Sequence, residues 1–215
     1  MLRAVPVTSL TLTTTDGCSL DADLACPDEA VRAAAVVCHP HPLYGGNRRN
    51  PVVDALFRAL PAIGVAALRF DFRGVGRSTG GHGRGVDEAL DVNAALNELA
   101  TRWPSLPLLA TGYSFGSMVV LSVVDDRVAA WVAVAPPLRG SMAVDTSGVA
   151  ADDRPKLVLA AQHDQYTTAA AAREVCSSWT ATNVVEVPNA DHFLVERTAW
   201  VAEQASAWVE DLLSR

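Results

Sequence analysis

The sequence predicts an α/β fold with a mostly parallel, eight-stranded sheet and helices on both faces. Two observations lead to this prediction. From residue 33 onward, short continuous apolar runs alternate with helical patterns, and strands buried on both faces are typical of parallel sheets. Before residue 33, two alternating segments flank a turn at Asp16 and Gly17, which indicates an antiparallel hairpin with one solvated face.

The strands follow from their apolar patterns. Leu10 and Leu12 alternate with threonines in the first half of the hairpin. In its second half, Leu20, Ala22 and Leu24 alternate with polar residues. Continuous apolar runs then predict six buried strands: Ala33 to Cys38, Val65 to Phe70, a run from Leu108, Ala129 to Ala135, Lys156 to Ala161, and Val184 to Val187.

Helices are predicted between these strands. Asn50 and Pro51 form an N-cap and first helical position for a stripe that ends at Gly64. Further helices are predicted from Val86 to a stop at Pro104, after Ser114, from Thr168 to Trp179, and at the C-terminal end. Residues 138–155 show no clear periodicity and indicate a loop or a short helix. No repeat or linker divides the chain, so residues 1–215 are expected to form one domain.

Composition excludes several classes of function. The chain has 215 residues, of which 50% are hydrophobic and 19% charged, so disorder is not expected. A net charge of −7 argues against nucleic acid or an anionic membrane as partner. No signal peptide is predicted. The four cysteines lack the spacing of metal ligands, which favours a reduced, cytoplasmic protein, with a Cys18–Cys26 bridge as a weak alternative.

The pentad Gly112-Tyr113-Ser114-Phe115-Gly116 lies between an apolar run and a second, longer one. This pattern predicts a buried strand, a very tight turn and a helix, with the Ser114 hydroxyl held above the edge of the sheet. The N-terminus of the helix would point at the place where an oxyanion forms. Taken alone, the pentad is equally consistent with an ordinary strand-to-helix corner.

Two further polar residues follow predicted strands. Asp164 and His192 each come just after a strand, and ligands of open parallel sheets bind at the carboxyl ends of the strands. His192 would take the Ser114 proton and Asp164 would orient the imidazole. Each residue also has an ordinary structural interpretation, Asp164 as a turn residue and His192 as a surface-loop residue. His163 and Asp191 are the competing candidates for the histidine and aspartate roles. Three such residues in the order Ser, Asp, His nevertheless favour a catalytic triad.

Five motifs together resemble a known family: HPHPLYGG (39–46), DFRGVGRS (71–78), GYSFG (112–116), HD (163–164) and DH (191–192). The chain resembles small, lidless serine hydrolases of the α/β-hydrolase superfamily, in the esterase or dienelactone-hydrolase-like branch. The resemblance implies an acyl-enzyme on Ser114, no cofactor, and an oxyanion hole of two backbone N–H groups. The first N–H is that of Phe115. The second is assigned to Leu43, with Tyr44 in reserve, because prolines have no N–H.

The expected substrates follow from the same resemblance. Larger relatives insert a lid where this chain has only residues 138–155, so no sizeable cap domain and an open site are expected. Small soluble carboxylic esters or thioesters suit such a site. Peptides or amides, acyl transfer to other acceptors, and ligand binding without catalysis are the alternatives, and the oligomeric state stays open. The substrate pocket is assigned to Tyr44, Tyr113, Leu138 and Met142.

The remaining polar residues of the motifs are assigned structural roles. His39 and His41 have no metal-binding partner nearby at a usable spacing, so no metal site is expected. Asp71 and Arg73 are predicted to form an internal ion pair beneath the site. His82 is predicted to have no role, and the adjacent Arg48 and Arg49 are interpreted as solvated surface.

Overall fold

The computed structural model describes residues 6–140 and 144–215. Helices and strands alternate along most of this length. The strands are β1 (Val7–Thr13), β2 (Ser19–Ala25), β3 (Ala33–Cys38), β4 (Val65–Phe70), β5 (Leu108–Tyr113), β6 (Val128–Val134), β7 (Lys156–Ala161) and β8 (Thr182–Val187). The α-helices are α1 (Pro51–Ala59), α2 (Glu88–Arg102), α3 (Phe115–Val120), α4 (Ser147–Ala151), α5 (Ala169–Val175) and α6 (Thr198–Leu212).

The strands form one eight-stranded sheet in the order β1-β2-β4-β3-β5-β6-β7-β8. β1 and β2 pair antiparallel, with Leu12 opposite Leu20, and β2 pairs antiparallel with β4. All other neighbours are parallel. The predicted fold class is therefore confirmed, including the N-terminal hairpin. Because β3, β5, β6, β7 and β8 are parallel neighbours, the loops that follow them meet at one edge of the sheet.

Helices cover both faces, and the pleat of the strands separates two hydrophobic clusters. In β3, Ala34 and Val36 face the cluster that α2, α3 and α5 cover, whereas Ala35 and Val37 face the cluster beneath α1 and α6. This alternation is the period of two that a strand imposes on its side chains. It explains why strands that are covered on both faces appear in the sequence as continuous apolar runs.

Two predicted helix boundaries change slightly. α2 begins at Glu88 instead of Val86, which is 56% exposed. α5 ends at Val175 and is followed by a 3₁₀ turn, Cys176–Ser178. The aperiodic stretch from residue 138 contains the five-residue helix α4, which is too short to form a lid over the site.

The predicted ion pair between Asp71 and Arg73 is wrong. Arg73 instead pairs with Asp91, at 2.8 Å between Nη2 and Oδ1, and with Asp16, at 2.9 Å. Asp71 pairs with Arg48, whose side chain is buried. The adjacent basic pair is therefore divided: Arg48 points inward, and only its neighbour is exposed.

One expectation from composition concerns the cysteines. Cys18, Cys26, Cys38 and Cys176 are all free thiols, so the alternative Cys18–Cys26 bridge is not formed. Across the described ranges, none of the helices combines the length and the apolar character needed to cross a membrane.

His39 links the loop that follows β3 to the loop that follows β4, at the edge of the sheet where the parallel strands end. Its Nδ1 lies 2.6 Å from the carbonyl oxygen of Pro40, and its Nε2 accepts the N–H of Phe72 at 3.0 Å. A ring that donates from Nδ1 and accepts at Nε2 is neutral. Burial lowers the pKa of His39 to about 4, because the charged form would lose its hydration.

We expect this histidine to make folding stability depend on pH. Between its ordinary pKa and about 4, the unfolded chain binds a proton that the folded chain does not, so stability falls as pH falls. The contribution is about 2 kcal/mol between pH 7 and pH 5. Urea unfolding of the wild type and of His39→Gln at both pH values measures it. The variant should lose less stability on acidification, and equal losses would contradict this assignment.

Candidate active site

Ser114 lies at a strained turn between β5 and α3. Its φ is +52° and its ψ is −116°, a conformation that non-glycine residues adopt rarely and that is typical of functional sites. The turn needs two glycines. A Cβ on Gly112 would lie 2.4 Å from the backbone of Gly116, and a Cβ on Gly116 would lie 2.6 Å from the carbonyl oxygen of His39. The tight strand-turn-helix corner expected from the pentad is therefore present.

Ser114, His192 and Asp164 lie in one chain of hydrogen bonds. Ser114 Oγ is 2.8 Å from His192 Nε2, and His192 Nδ1 is 2.7 Å from Asp164 Oδ2. The other carboxylate oxygen of Asp164 accepts the N–H groups of Tyr166 at 2.8 Å and Thr167 at 3.2 Å. Because Asp164 accepts from Nδ1–H, Nε2 is left with a lone pair facing the serine. This arrangement can take a proton from the hydroxyl.

The competing residues do not take part in this chain of hydrogen bonds. His163 follows the same strand as Asp164 but its side chain is exposed. Asp191 accepts the N–H of Phe193 at 3.0 Å, which caps the turn that follows β8. The carboxylate that contacts His192 is thus that of Asp164, the residue preferred from the sequence because Asp191, adjacent to His192, would not easily reach the Nδ1 of its own neighbour.

His192 is held from two further directions. The Tyr113 hydroxyl donates to the carbonyl oxygen of His192 at 2.8 Å, and burial raises the pKa of this tyrosine. The Tyr166 ring packs against the imidazole with 4.6 Å between ring centroids and 69° between the planes. Tyr113, which was predicted to contact substrate, therefore also fixes the loop that carries His192.

The prediction for Leu43 as an oxyanion donor is wrong. Its N–H donates to Nδ1 of His41 at 3.2 Å, and the reserve residue, Tyr44, donates its N–H to the carbonyl oxygen of His41 at 3.1 Å. The N–H groups of Gly45 and Gly46 also donate within the turn. Among the described residues, the backbone N–H of His41 itself has no acceptor.

Phe115 keeps the position expected of the first donor. It is the first residue of α3, where a helix N–H has no partner within the helix. Its ring packs against His41, at 5.0 Å between centroids, and against His82, at 5.4 Å. His82 Nδ1 also lies 2.8 Å from the buried carboxylate of Glu88. His82 thus has a packing role behind the turn, which its glycine-rich surroundings in the sequence did not indicate.

A cavity of about 580 Å³ opens above Ser114. Its lining residues include Pro40, His41, Tyr44, Tyr113, Phe115, Pro137, Gly140, Tyr166, His192 and Phe193. Two of the four predicted pocket residues, Tyr44 and Tyr113, are among them. Leu138 is not, since it packs against the hydrophobic cluster on the face of α2. Met142 lies outside the described residues.

Tyr166 and Phe193 line this cavity but were not identified from the sequence. Each lies within two positions of a triad residue in the chain, and that proximity was the available signal. In the described part of the chain, no cluster of three or more histidine, cysteine, aspartate or glutamate side chains could hold a metal ion.

The chain is similar to known proteins in sequence and in fold. Residues 29–151 match the family described as serine aminopeptidase, S33. A Rickettsia prowazekii protein of uncharacterised function is 32% identical over 188 residues, which cover 83% of this chain and 77% of that protein.

Two solved structures are similar over almost the whole chain. An α/β serine hydrolase homologue from Coxiella burnetii is 27% identical with a TM-score of 0.82, covering 96% of this chain and 99% of that one. A serine hydrolase without a lid from Xanthomonas campestris is 28% identical, also with a TM-score of 0.82, covering 97% of each chain. This chain therefore belongs to the serine aminopeptidase (S33) family of the α/β-hydrolase superfamily and is a hydrolase enzyme, and the part of it that the structure describes contains no cap domain.

Proposed function

We propose that this enzyme cleaves small, soluble carboxylic esters or thioesters through an acyl-enzyme on Ser114, with His192 as base and Asp164 as its orienting partner. The observation that carries the proposal is the 2.8 Å contact between Ser114 Oγ and His192 Nε2. A serine hydroxyl is a weak nucleophile until a base within hydrogen-bond distance takes its proton.

The reaction proceeds in two halves. Ser114 Oγ attacks the carbonyl carbon while its proton passes to His192 Nε2, and the bond to the leaving group breaks as His192 returns that proton to the leaving oxygen or sulfur. Water then attacks the acyl-serine, with His192 again as base, and releases the acid. Asp164 stabilises the imidazolium formed in each half.

The negative oxygen of the tetrahedral intermediate needs two N–H donors. We assign them to Phe115, as the sequence predicts, and to His41 in place of Leu43. His41 lines the cavity, and no described residue accepts its N–H. The His41 side chain supports this role, because its Nδ1 accepts the Leu43 N–H and holds the turn closed. Preorganised donors of this kind are typically the largest single contribution to catalysis.

Peptide cleavage is the second candidate function, because the matched family is described as serine aminopeptidase. An aminopeptidase must bind the ammonium group at the N-terminus of its substrate, and a carboxylate is the side chain that pairs with it. No aspartate or glutamate occurs among the described residues that line the cavity. We therefore favour esters. Product formation from an aminoacyl amide and from the matched ester distinguishes the two.

The proposed location is the cytoplasm, and the proposed partners are small acyl substrates rather than nucleic acid or membrane. The four free cysteines support a reducing compartment. The net charge of −7 supports the exclusion of polyanions.

The nucleophile can be tested by covalent labelling. We expect a fluorophosphonate probe to add once to the wild-type protein, because it reacts with serines activated by a neighbouring base. Intact-mass analysis should show one adduct, and Ser114→Ala should show none. An adduct that persists in Ser114→Ala, or a folded wild type without one, would contradict the proposed function.

A further inference from the structure

Aromatic side chains are concentrated at the cleft that contains Ser114. Only 6% of the chain is aromatic, yet all three of its tyrosines line this cavity together with Phe115 and Phe193. Tyr44, Tyr166 and Phe193 are 84%, 52% and 61% exposed. Large aromatic rings exposed in a cleft have apolar area that a ligand can bury, and such surfaces mark binding sites.

Two of these rings flank the catalytic histidine. The Tyr166 ring lies 4.6 Å from the His192 ring at 69°, and the Phe193 ring lies 6.0 Å from it at 81°. Tyr44 lies on the other side, where its ring packs 4.6 Å from the ring of His41. The cleft therefore has aromatic rings next to the base, His192, and a separate aromatic ring, Tyr44, next to the turn at His41.

The position of the base determines which part of the substrate meets Tyr166 and Phe193. This step rests on the proposed function. In acylation, the leaving oxygen must come within hydrogen-bond distance of His192 Nε2, because His192 supplies its proton. The group attached to that oxygen then lies beside the rings that flank His192, whereas the carbonyl oxygen points toward the turn at His41.

We propose that the leaving group of the substrate is an aromatic alcohol, bound between Tyr166 and Phe193. Aromatic rings attract one another in edge-to-face or offset arrangements at centroid distances of roughly 4.5–7 Å, and each such pair adds to the free energy of area burial. A saturated ring of the same size gains the burial but not this attraction. The inference concerns the alcohol and leaves the acyl group unspecified.

Benzyl acetate and cyclohexylmethyl acetate test the proposal. Both form the same acetyl-serine: Ser114 Oγ bonds to the acetyl carbon, the ester C–O bond breaks, and His192 returns the proton to the departing alkoxide. Deacylation by water is then identical, so kcat/KM differs only through the alcohol. We expect the ratio of kcat/KM, benzyl over cyclohexylmethyl, to be about tenfold in the wild type, the fold-change that two aromatic pairs supply.

Leucine variants test which side chains cause the preference for benzyl acetate. Tyr166→Leu with Phe193→Leu should bring the ratio close to one, because leucine keeps apolar volume and removes the ring. The backbone N–H groups that bind Asp164 and Asp191 remain in these variants. Tyr44→Leu is the matched control on the other side of the cleft, and it should keep the tenfold ratio.

The possible outcomes distinguish this proposal from the proposed function. A wild-type ratio near one, or equal loss of the ratio in Tyr44→Leu, would overturn the aromatic assignment while labelling of Ser114 stays intact. Absence of benzyl acetate turnover in a protein that still forms the fluorophosphonate adduct would also overturn it. Failure of the adduct itself would instead overturn the acyl-enzyme on Ser114.

Discussion

Ser114→Ala and His192→Ala are each expected to lower kcat by about 10⁴- to 10⁶-fold, because each removes a group that takes part directly in the bond-making and bond-breaking steps. The alanine at position 114 has no nucleophile, and the alanine at 192 leaves the hydroxyl without a base 2.8 Å away. Hydrolysis of 4-nitrophenyl acetate at saturating substrate measures the loss. Circular dichroism verifies that both variants are folded.

A variant that combines both changes tests this prediction more strictly. Ser114 and His192 act on one proton in one step, so Ser114→Ala with His192→Ala should lose no more than either single change. Asp164→Ala should lose less, about 10⁴-fold, since the imidazole is still present but no longer oriented. Asp191→Ala is the matched control. This carboxylate only caps a turn, so a large loss there, or losses that multiply in the double variant, would contradict the triad.

The sequence was sufficient for the sheet and for the three residues of the proposed triad because both depend on local patterns. A buried parallel strand is visible as an apolar run, and the residue that follows it lies at the active edge whatever the rest of the chain does. Ser114, Asp164 and His192 each satisfy that rule. Joining three residues separated by 50 and 28 positions therefore required only the fold class, and no knowledge of side-chain packing.

The free backbone N–H of the turn at His41 could not be predicted from local patterns in the same way. Excluding the two prolines left Leu43 and Tyr44 as candidates, but the turn closes because the His41 side chain accepts the Leu43 N–H. A side chain that accepts a nearby backbone N–H competes with the roles assigned to that backbone. Which N–H stays free is a property of the closed turn, and residue types alone do not determine it.

The ion pairs of charged residues were harder still to predict, because the two partners lie far apart in the sequence. Arg48 precedes an exposed arginine and resembles surface in the sequence, yet its guanidinium contacts Asp21 at 2.8 Å, Asp23 at 3.1 Å, and Asp71. Asp21 and Asp23 lie 27 and 25 residues away, in β2. Nothing in the local pattern around Arg48 indicates that a strand with two aspartates lies beside it.

We expect Arg48→Met to lower the free energy of unfolding by about 3–5 kcal/mol, the cost of removing one partner from a buried ion pair. The side chains of Arg48 and Asp71 are 7% and 8% exposed. Methionine would leave Asp71 without its only cation among the described residues, whereas Asp23 keeps Arg69 at 3.2 Å and Asp21 keeps Arg77 at 2.9 Å. Burial already raises the pKa of Asp71, although the N–H and guanidinium of Arg48 oppose the rise. Urea unfolding at pH 7 measures the change.

Arg49→Met is the matched control, since this neighbour is exposed and its side chain has no ion pair among the described residues. Its effect should stay within about 0.5 kcal/mol. Adding Asp71→Asn to Arg48→Met should recover part of the lost stability, because it removes the uncompensated charge. If Arg48→Met and Arg49→Met cost the same, or if Asp71→Asn adds to the loss, the buried charge network does not stabilise the fold in the way its geometry indicates. Recovery by Asp71→Asn would show that the cost of Arg48→Met comes from the unpaired carboxylate and not from the changed shape of the side chain.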